Sequence, residues 1–269
     1  MSAAIVSELR KIRSTRLWWI LLLIAAATVA VFAGSFAFAL AFGSEGLQAT
    51  DGGPQQLDAT TVAITVYTMG VSLGYVFPMV LGALTVTGEF RHRTIDTTLL
   101  AEPRRGRVIL AKFIAVLPYA VLYGIVSIAV GVGVGVAALG IAGEPTALDD
   151  PEVWRALAMG VVSLTTWALV GVGFGSLITN QIVVIVALLA WTQLVEPIVR
   201  LALGFLEPLR GVGAYLPGAA GEAMVGASFY SASGAGDLLA PWAGFAVLLG
   251  YAAIAAIGGW LVTFRRDIS

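Results

Sequence analysis

Six long apolar runs are the feature that most constrains how this chain can fold. They cover about residues 17–42, 62–87, 108–139, 156–178, 182–205 and 242–263. Each is long enough for a helix that crosses the hydrocarbon core of a bilayer, which takes roughly 20 apolar residues. With 59% hydrophobic and 12% charged residues, the chain is excluded from the soluble class. The sequence therefore predicts an all-α integral membrane protein with six transmembrane helices, in a single domain covering residues 1–269.

The distribution of Lys and Arg predicts the orientation of these spans. With six spans, the N-terminus, residues 88–112, the turn at 179–181 and the C-terminus share one side, which carries twelve of the fifteen basic residues. Loops rich in Lys and Arg stay in the cytoplasm, so both termini are expected there. The strong preference for Arg over Lys, with abundant Ala, Gly and Val, indicates a bacterial source. The predicted location is the bacterial cytoplasmic membrane.

Two segments outside the runs also have predicted structure. Residues 2–16 form an amphipathic helix in which Ile5, Leu9 and Ile12 share one side, as in a helix lying in the inner headgroup layer. The alternative is a simple basic tether. Residues 206–240 alternate apolar pieces with Gly and Pro, which favours short re-entrant outer helices packed on protein before the sixth span.

Residues 88–112, "GEFRHRTIDTTLLAEPRRGRVILAK", form a polar segment between the second and third runs. Its spacing resembles the signature that the ABC-2 permease family carries after its second span. The layout is also similar to that family, with a basic N-terminal helix, six spans and a broken outer segment before the last span. The matching residues are Glu89, Arg91, Thr94, Ile95, Leu99, Leu100, Pro103, Arg107 and Lys112. One residue departs from the pattern: the family often has Gly directly before the Thr, and Arg93 stands there, so a more regular turn is expected.

The resemblance implies one permease of a type V ABC exporter, in which two permeases pair and each sits on a cytoplasmic ATPase subunit. Residues 89–101 would then be a coupling helix that contacts the ATPase and ends before Pro103. The alternative is an ordinary basic loop that only sets topology. The expected ATPase-coupling residues are Glu89, Phe90, Arg91, His92, Arg93, Thr94, Asp96, Leu99 and Leu100.

The chain lacks the motifs of an enzyme. A phosphate-binding loop needs a Gly-Lys pair, but the two lysines, Lys11 and Lys112, follow Arg10 and Ala111. ATP and Mg are therefore expected to bind to a separate ATPase. No cofactor is expected in this chain. With no cysteine and only His92, no metal site or nucleophile–base pair is expected. His92 is interpreted as a contact residue, with pH sensing as the alternative. Nucleic acid is not an expected partner.

The resemblance also implies that spans two and five line the substrate path. An aromatic, nearly uncharged lining favours an amphipathic substrate, although aromatic residues near span ends also anchor helices at interfaces. Glu196 and Arg200 are spaced for an i, i+4 pair, interpreted as structural, with a proton relay as the alternative. The candidate path residues are Tyr67, Met69, Tyr75, Phe77, Trp191, Gln193 and Glu196.

Three G-x-x-x-G pairs allow close helix packing inside the chain or, alternatively, at a dimer seam. They are Gly70 and Gly74, Gly131 and Gly135, and Gly171 and Gly175.

These observations predict the membrane subunit of an ATP-driven exporter of a drug, peptide antibiotic or lipid, paired with an identical or different permease. The rival functions are an ion-coupled secondary transporter and a membrane assembly component without transport.

Overall fold

The computed structural model describes residues 1–47, 58–226 and 238–263. These residues form helices and turns, with no strand among them. The helices are α1 (Ser2–Ser14), α2 (Leu17–Leu47), α3 (Ala59–Tyr67), α4 (Met69–Ser72), α5 (Val76–Arg91), α6 (Ile95–Ala101), α7 (Arg105–Ala142), α8 (Pro151–Leu177), α9 (Gln181–Ala190), α10 (Glu196–Gly204), α11 (Pro217–Val225) and α12 (Pro241–Val262). A π-helical turn (Trp191–Val195) joins α9 to α10, and a 3₁₀ helix (Glu207–Tyr215) precedes α11.

Parts of three predicted features lie outside the described residues. They are residues 48–57 in the segment between the first two predicted spans, residues 227–237 of the predicted re-entrant segment, and the C-terminal Arg265 and Arg266.

Five helical segments in the described residues are long and apolar enough to cross a membrane. They are Leu17–Ala39, Arg105–Ala142, Pro151–Leu177, Gln181–Gly204 and Pro241–Val262, close to five of the six predicted spans. Capping residues explain two of the boundaries. Asp150 accepts the N–H of Glu152 at the start of α8, and Asn180 accepts those of Ile182 and Val183 at the start of α9. Each bond satisfies an orphan donor of a helix N-terminus.

The predicted second span, 62–87, is not one continuous helix. It is divided into α3, α4 and α5, with turns at Thr68 and around Gly74. Pro78 lies in the first turn of α5, a position where its missing N–H costs nothing, whereas a helix running through it would lose a bond and clash. The apolar run had predicted a single spanning helix here. Most of the non-helical stretch is buried in the protein, as irregular backbone at membrane depth requires.

Helix α8 lies at the centre of the bundle and contacts α5, α7, α11 and α12. Trp167, Leu164 and Val170 on α8 are buried in the main apolar core. Helix α2 is peripheral and buries a narrow stripe with a spacing of four residues. The stripe consists of Ala25, Val29, Ala33 and Ala37. Because these side chains are small, α2 approaches the bundle closely while its other faces stay exposed.

The three G-x-x-x-G pairs pack inside the chain, as predicted. Gly70 and Gly74 face Val29 of α2, and Gly131 and Gly135 face Tyr67 of α3. Gly171 and Gly175 lie against the backbone of α5. A β-carbon at Gly171 would come within 2.8 Å of the carbonyl carbon of Met79. The helices α5 and α8 therefore meet at a distance that only glycine permits.

The bundle has two chemically different ends. The basic end carries α1, α6 and the start of α7, with Arg10, Arg13, Arg91 and Arg107 among its residues. The acidic end carries the α7–α8 loop, which includes Glu144, Asp149 and Asp150. Thr60 at the start of α3 donates to Asp150 across this end.

Candidate functional site

Four charged residues form a network at the basic end, here called the lysine–glutamate cluster: Glu8, Lys11, Glu89 and Lys112. The Lys112 ammonium lies 2.8 Å from Glu8 Oε2 and 3.0 Å from Glu89 Oε2. Lys11 pairs with Glu8 Oε1 at 2.5 Å and also with Glu89 Oε1. Two positive and two negative charges therefore neutralise each other.

The cluster ties together four helices that are distant in sequence. Glu8 and Lys11 come from α1, Glu89 from the last turn of α5, and Lys112 from α7. Thr98 on α6 joins them, because its hydroxyl donates to Glu89 Oε1 at 3.3 Å and accepts from Lys11 at 3.1 Å. Breaking a buried ion network by removing one partner typically costs about 3–5 kcal/mol. The position of α6 thus depends on this cluster.

Burial within the cluster differs between its two lysines. The side chain of Lys112 is fully buried, and that of Lys11 is 39% exposed. Burial lowers the pKa of Lys11 more than any other single effect, but the hydrogen bonds and charges of Glu8 and Glu89 together outweigh it and raise the pKa above its usual value. Lys11 is therefore protonated in the folded chain at neutral pH.

Glu89 is not at the surface where the sequence interpretation placed it. It is 6% exposed and engaged in the cluster. Its sequence context, between two apolar runs and next to arginines, gave no sign of this because the partners lie in α1 and α7. Glu8 was missed altogether. Glu8 shares the apolar side of α1 with Ile5 and Ile12. An acidic residue on that side is a sequence signal for a basic partner, because a buried carboxylate needs a counter-charge.

The predicted helix over residues 89–101 is divided by a tight turn. Helix α5 ends at Arg91, Arg93 takes a left-handed conformation with φ of 54°, and α6 begins at Ile95. The N–H of Thr94 bonds the carbonyl of Glu89, and that of Arg93 bonds the carbonyl of Phe90. This is the Schellman ending of a helix, whose left-handed position favours Gly. The expectation of a more regular turn at Arg93 was therefore wrong.

The turn and α6 present one charged, exposed surface, here called the charged face. Ile95 is buried and Phe90, Thr98 and Leu99 are half-buried against the bundle. Leu100, in contrast, is 82% exposed. The exposed members of the predicted coupling set, which make up the charged face, are Arg91, His92, Arg93, Thr94, Asp96 and Leu100.

A cavity of about 510 Å³ lies between α2, α4, α10, α11 and the π-helical turn. The charged residues in the described part of its lining are Glu196, Arg200 and Glu222. Glu196 Oε1 accepts the N–H of Ala219 at 3.1 Å, so the carboxylate satisfies a donor at the N-terminus of α11. Arg200 donates to Glu222 Oε2 at 2.8 Å. Arg200, which the sequence pairs with Glu196, thus also forms an ion pair with α11.

Tyr75 is held firmly beside this cavity. Its ring stacks on Trp167 with centroids 4.3 Å apart. Its hydroxyl accepts a hydrogen bond from Gln193 at 3.0 Å and donates to the carbonyl of Thr192 at 3.3 Å. The π-helical turn places the Thr192 carbonyl and the Gln193 amide within reach of the divided second span.

The seven candidate path residues fall into two groups. Met69, Tyr75, Gln193 and Glu196 line the cavity. Tyr67 instead packs on α7 and donates to the carbonyl of Thr146 at 2.7 Å. Phe77 packs in a second apolar cluster, and Trp191 is 43% exposed on the outside of the bundle. Phe32 and Phe36 of α2 and Glu222 of α11 also line the cavity. They were not predicted, because nothing in their local sequence indicates which span they face.

The fold and the site define a multi-pass helical membrane protein with a cavity between its helices and a charged face at its basic end. The family model described as "ABC-2 family transporter protein" matches residues 4–201. The chain therefore belongs to the ABC-2 transporter family, as the signature in residues 88–112 indicated. The match extends from α1 into α10. A search of curated proteins finds no match.

Proposed function

We propose that this protein is the permease subunit of an ATP-driven exporter in a bacterial cytoplasmic membrane. The ATPase is a separate polypeptide that docks on the charged face, and two permeases pair across the membrane. The substrate is an amphipathic molecule such as a drug, peptide antibiotic or lipid. ATP and Mg bind to the ATPase, so this chain itself performs no hydrolysis.

The observation that carries the proposal is the exposure of the charged face. An exposed Leu100 among Arg91, His92, Arg93 and Asp96 combines an apolar anchor with both signs of charge, as protein interfaces do. The underside of α6 is fixed to α1, α5 and α7 by Ile95 and by the lysine–glutamate cluster. A movement of the docked ATPase is therefore transmitted through α6 to α5 and α7.

The proposal includes six membrane crossings, with both termini in the cytoplasm. The segments α3, α4 and α5 together make the second crossing, and most residues of the turns between them are buried. Helix α11, which is buried at all of its positions, belongs to a re-entrant outer segment. Twelve of the fifteen basic residues then lie on the cytoplasmic side.

Co-purification from the native host tests the function. A tagged permease is expected to bring down an ATPase with a Walker A motif, and Leu100→Asp is expected to abolish that recruitment because it places a charge in the apolar anchor. The matched control is Ser14→Asp, an exposed position at the basic end outside α5 and α6. A wild-type preparation that contains no such ATPase contradicts the function. Unchanged recruitment by Leu100→Asp contradicts the docking surface.

An ion-coupled transporter is a second candidate, supported by the buried Glu196 in the cavity wall. A proton relay needs a carboxylate that exchanges protons between the two sides. In proteoliposomes that contain the permease and its ATPase, transport driven by ATP without an ion gradient supports the exporter. Transport by the permease alone, driven by a proton gradient, supports the second candidate.

A further inference from the structure

The polar groups that line the cavity leave one carboxylate oxygen without a partner. Glu196 is 1% exposed, and its Oε1 bonds the N–H of Ala219. Its Oε2 is buried and has no hydrogen-bond partner among the described residues. A buried acceptor left unpaired costs about 1–3 kcal/mol, and more when it is charged. A ligand that supplies positive charge at this point removes that cost.

The charges of the lining favour a cation over an anion. Among the charged lining residues that the structure describes, Arg200 and Glu222 form an ion pair at 2.8 Å. Among the described lining residues, Glu196 in its ionised form then adds one further negative charge to the wall. Since a charge in a poorly hydrated site needs a counter-charge, the complementary ligand carries a single positive charge.

The rest of the described wall combines apolar and aromatic side chains with the polar side chains of Ser35, Ser72, Thr192 and Gln193. Phe32, Phe36 and Met69 line it together with the fixed ring of Tyr75. Aromatic faces attract cations through their quadrupole. A volume of about 510 Å³ lies in the range of small-molecule sites.

We propose that this cavity binds a hydrophobic organic monocation, with the Glu196 carboxylate as its counter-ion. The role of this ligand as transported substrate rests on the exporter function proposed above, but its binding to the permease does not. A purely structural role for Glu196, as the cap of α11, is the competing explanation. The two are separable because capping uses Oε1 and ligand binding uses the charge and Oε2.

Two variants separate the charge from the cap. Glu196→Gln keeps a carbonyl oxygen for the N–H of Ala219 but removes the negative charge. Gly218→Ala keeps the charge and moves it, because a β-carbon there would lie 2.5 Å from Oε1 and 3.1 Å from Oε2. The matched control is Glu152→Gln, an exposed carboxylate at the start of α8.

The experiment measures equilibrium binding of radiolabelled tetraphenylphosphonium to the full-length permease in nanodiscs, without ATPase. Tetraphenylborate, which has the same shape and the opposite charge, and empty nanodiscs are the comparisons. Wild-type protein and Glu152→Gln are expected to bind the cation saturably. Glu196→Gln is expected to bind it at least about tenfold more weakly, the scale of losing one partner of a buried charge pair, and Gly218→Ala is expected to weaken it too. Thermal melting of each variant checks its fold.

Equal saturable binding of the cation and the anion by wild-type protein overturns the inference, and so does unchanged cation binding by folded Glu196→Gln. The wild-type comparison alone decides the sign of the charge if a variant fails to fold. Saturable cation binding by a permease that recruits no ATPase would retain the site while rejecting the exporter. ATPase recruitment without saturable cation binding would support the exporter function and reject the cation site.

Discussion

Arg93 holds a backbone conformation that its side chain does not favour. At φ of 54° it occupies the left-handed region, which costs a residue with a β-carbon about 1–2 kcal/mol. The surrounding Schellman bonds, from Thr94 to Glu89 and from Arg93 to Phe90, enforce this conformation. The family pattern, which often has Gly before the Thr, is explained by the same geometry.

We expect Arg93→Gly to raise the free energy of unfolding by roughly 0.5–1 kcal/mol, because Gly adopts the left-handed region without strain but is more flexible when unfolded. Thermal melting in detergent measures the change. Arg93→Ala removes the charge and keeps the strain, so it serves as the control and should be close to neutral. Equal stabilisation by both variants would show that charge repulsion, not backbone strain, is relieved.

The lysine–glutamate cluster predicts non-additive effects. We expect Lys112→Met to lower the free energy of unfolding by about 3–5 kcal/mol, because it leaves buried carboxylates without a full counter-charge. Glu89→Gln should also destabilise. The double variant keeps one lysine and one glutamate, so its loss should be smaller than the sum of the two single losses. Additive losses in denaturant titrations would contradict coupling between Glu89 and Lys112.

At the scale of elements, glycine sets the contact between α5 and α8. We expect Gly171→Ala to destabilise the protein by about 1–3 kcal/mol, the usual cost of overpacking, because the added methyl group meets the backbone of Met79. Gly133→Ala on α7 is the control, since nothing lies within 4 Å of its β-carbon position. The difference in melting temperature between these two alanine variants is the measurement. Similar melting temperatures would contradict the close approach.

Apolar runs predicted five of the elements well, because a stretch long enough to cross lipid has few alternatives to a helix. The sequence failed at the second run for a specific reason. Composition shows that residues 62–87 are apolar, but it does not show that the helix is interrupted at Thr68 and at residues 73–75, shortly before Pro78. That depends on burial of Thr68 and Gly74 by other helices.

The candidate site was predicted in part. The charged face could be predicted from local sequence, because its arginines stand together in a polar segment between two apolar runs. The interactions of Glu89 with Lys112 and of Arg200 with Glu222 join distant elements. No local pattern in the sequence contains either pairing.

At the scale of the whole molecule, the two chemically different ends predict an orientation that can be measured directly. The chain has no cysteine, so single cysteines report on one position each. We expect Glu144→Cys to react with a membrane-impermeant maleimide in intact cells, and Thr97→Cys to react only after permeabilisation. Both positions are exposed in the fold. The opposite labelling pattern would place the charged face outside the cell and contradict docking of a cytoplasmic ATPase.

Helix α7 is continuous over 38 residues, which at about 1.5 Å per residue gives it a length of roughly 57 Å. The hydrocarbon core is only about 30 Å thick, so this helix is long enough to project beyond the lipid. Near its start, Lys112 anchors the helix to Glu8 and Glu89 beside the charged face. Its other end reaches the α7–α8 loop at the acidic end. A pivot of about 5° would carry one tip roughly 5 Å sideways relative to the other.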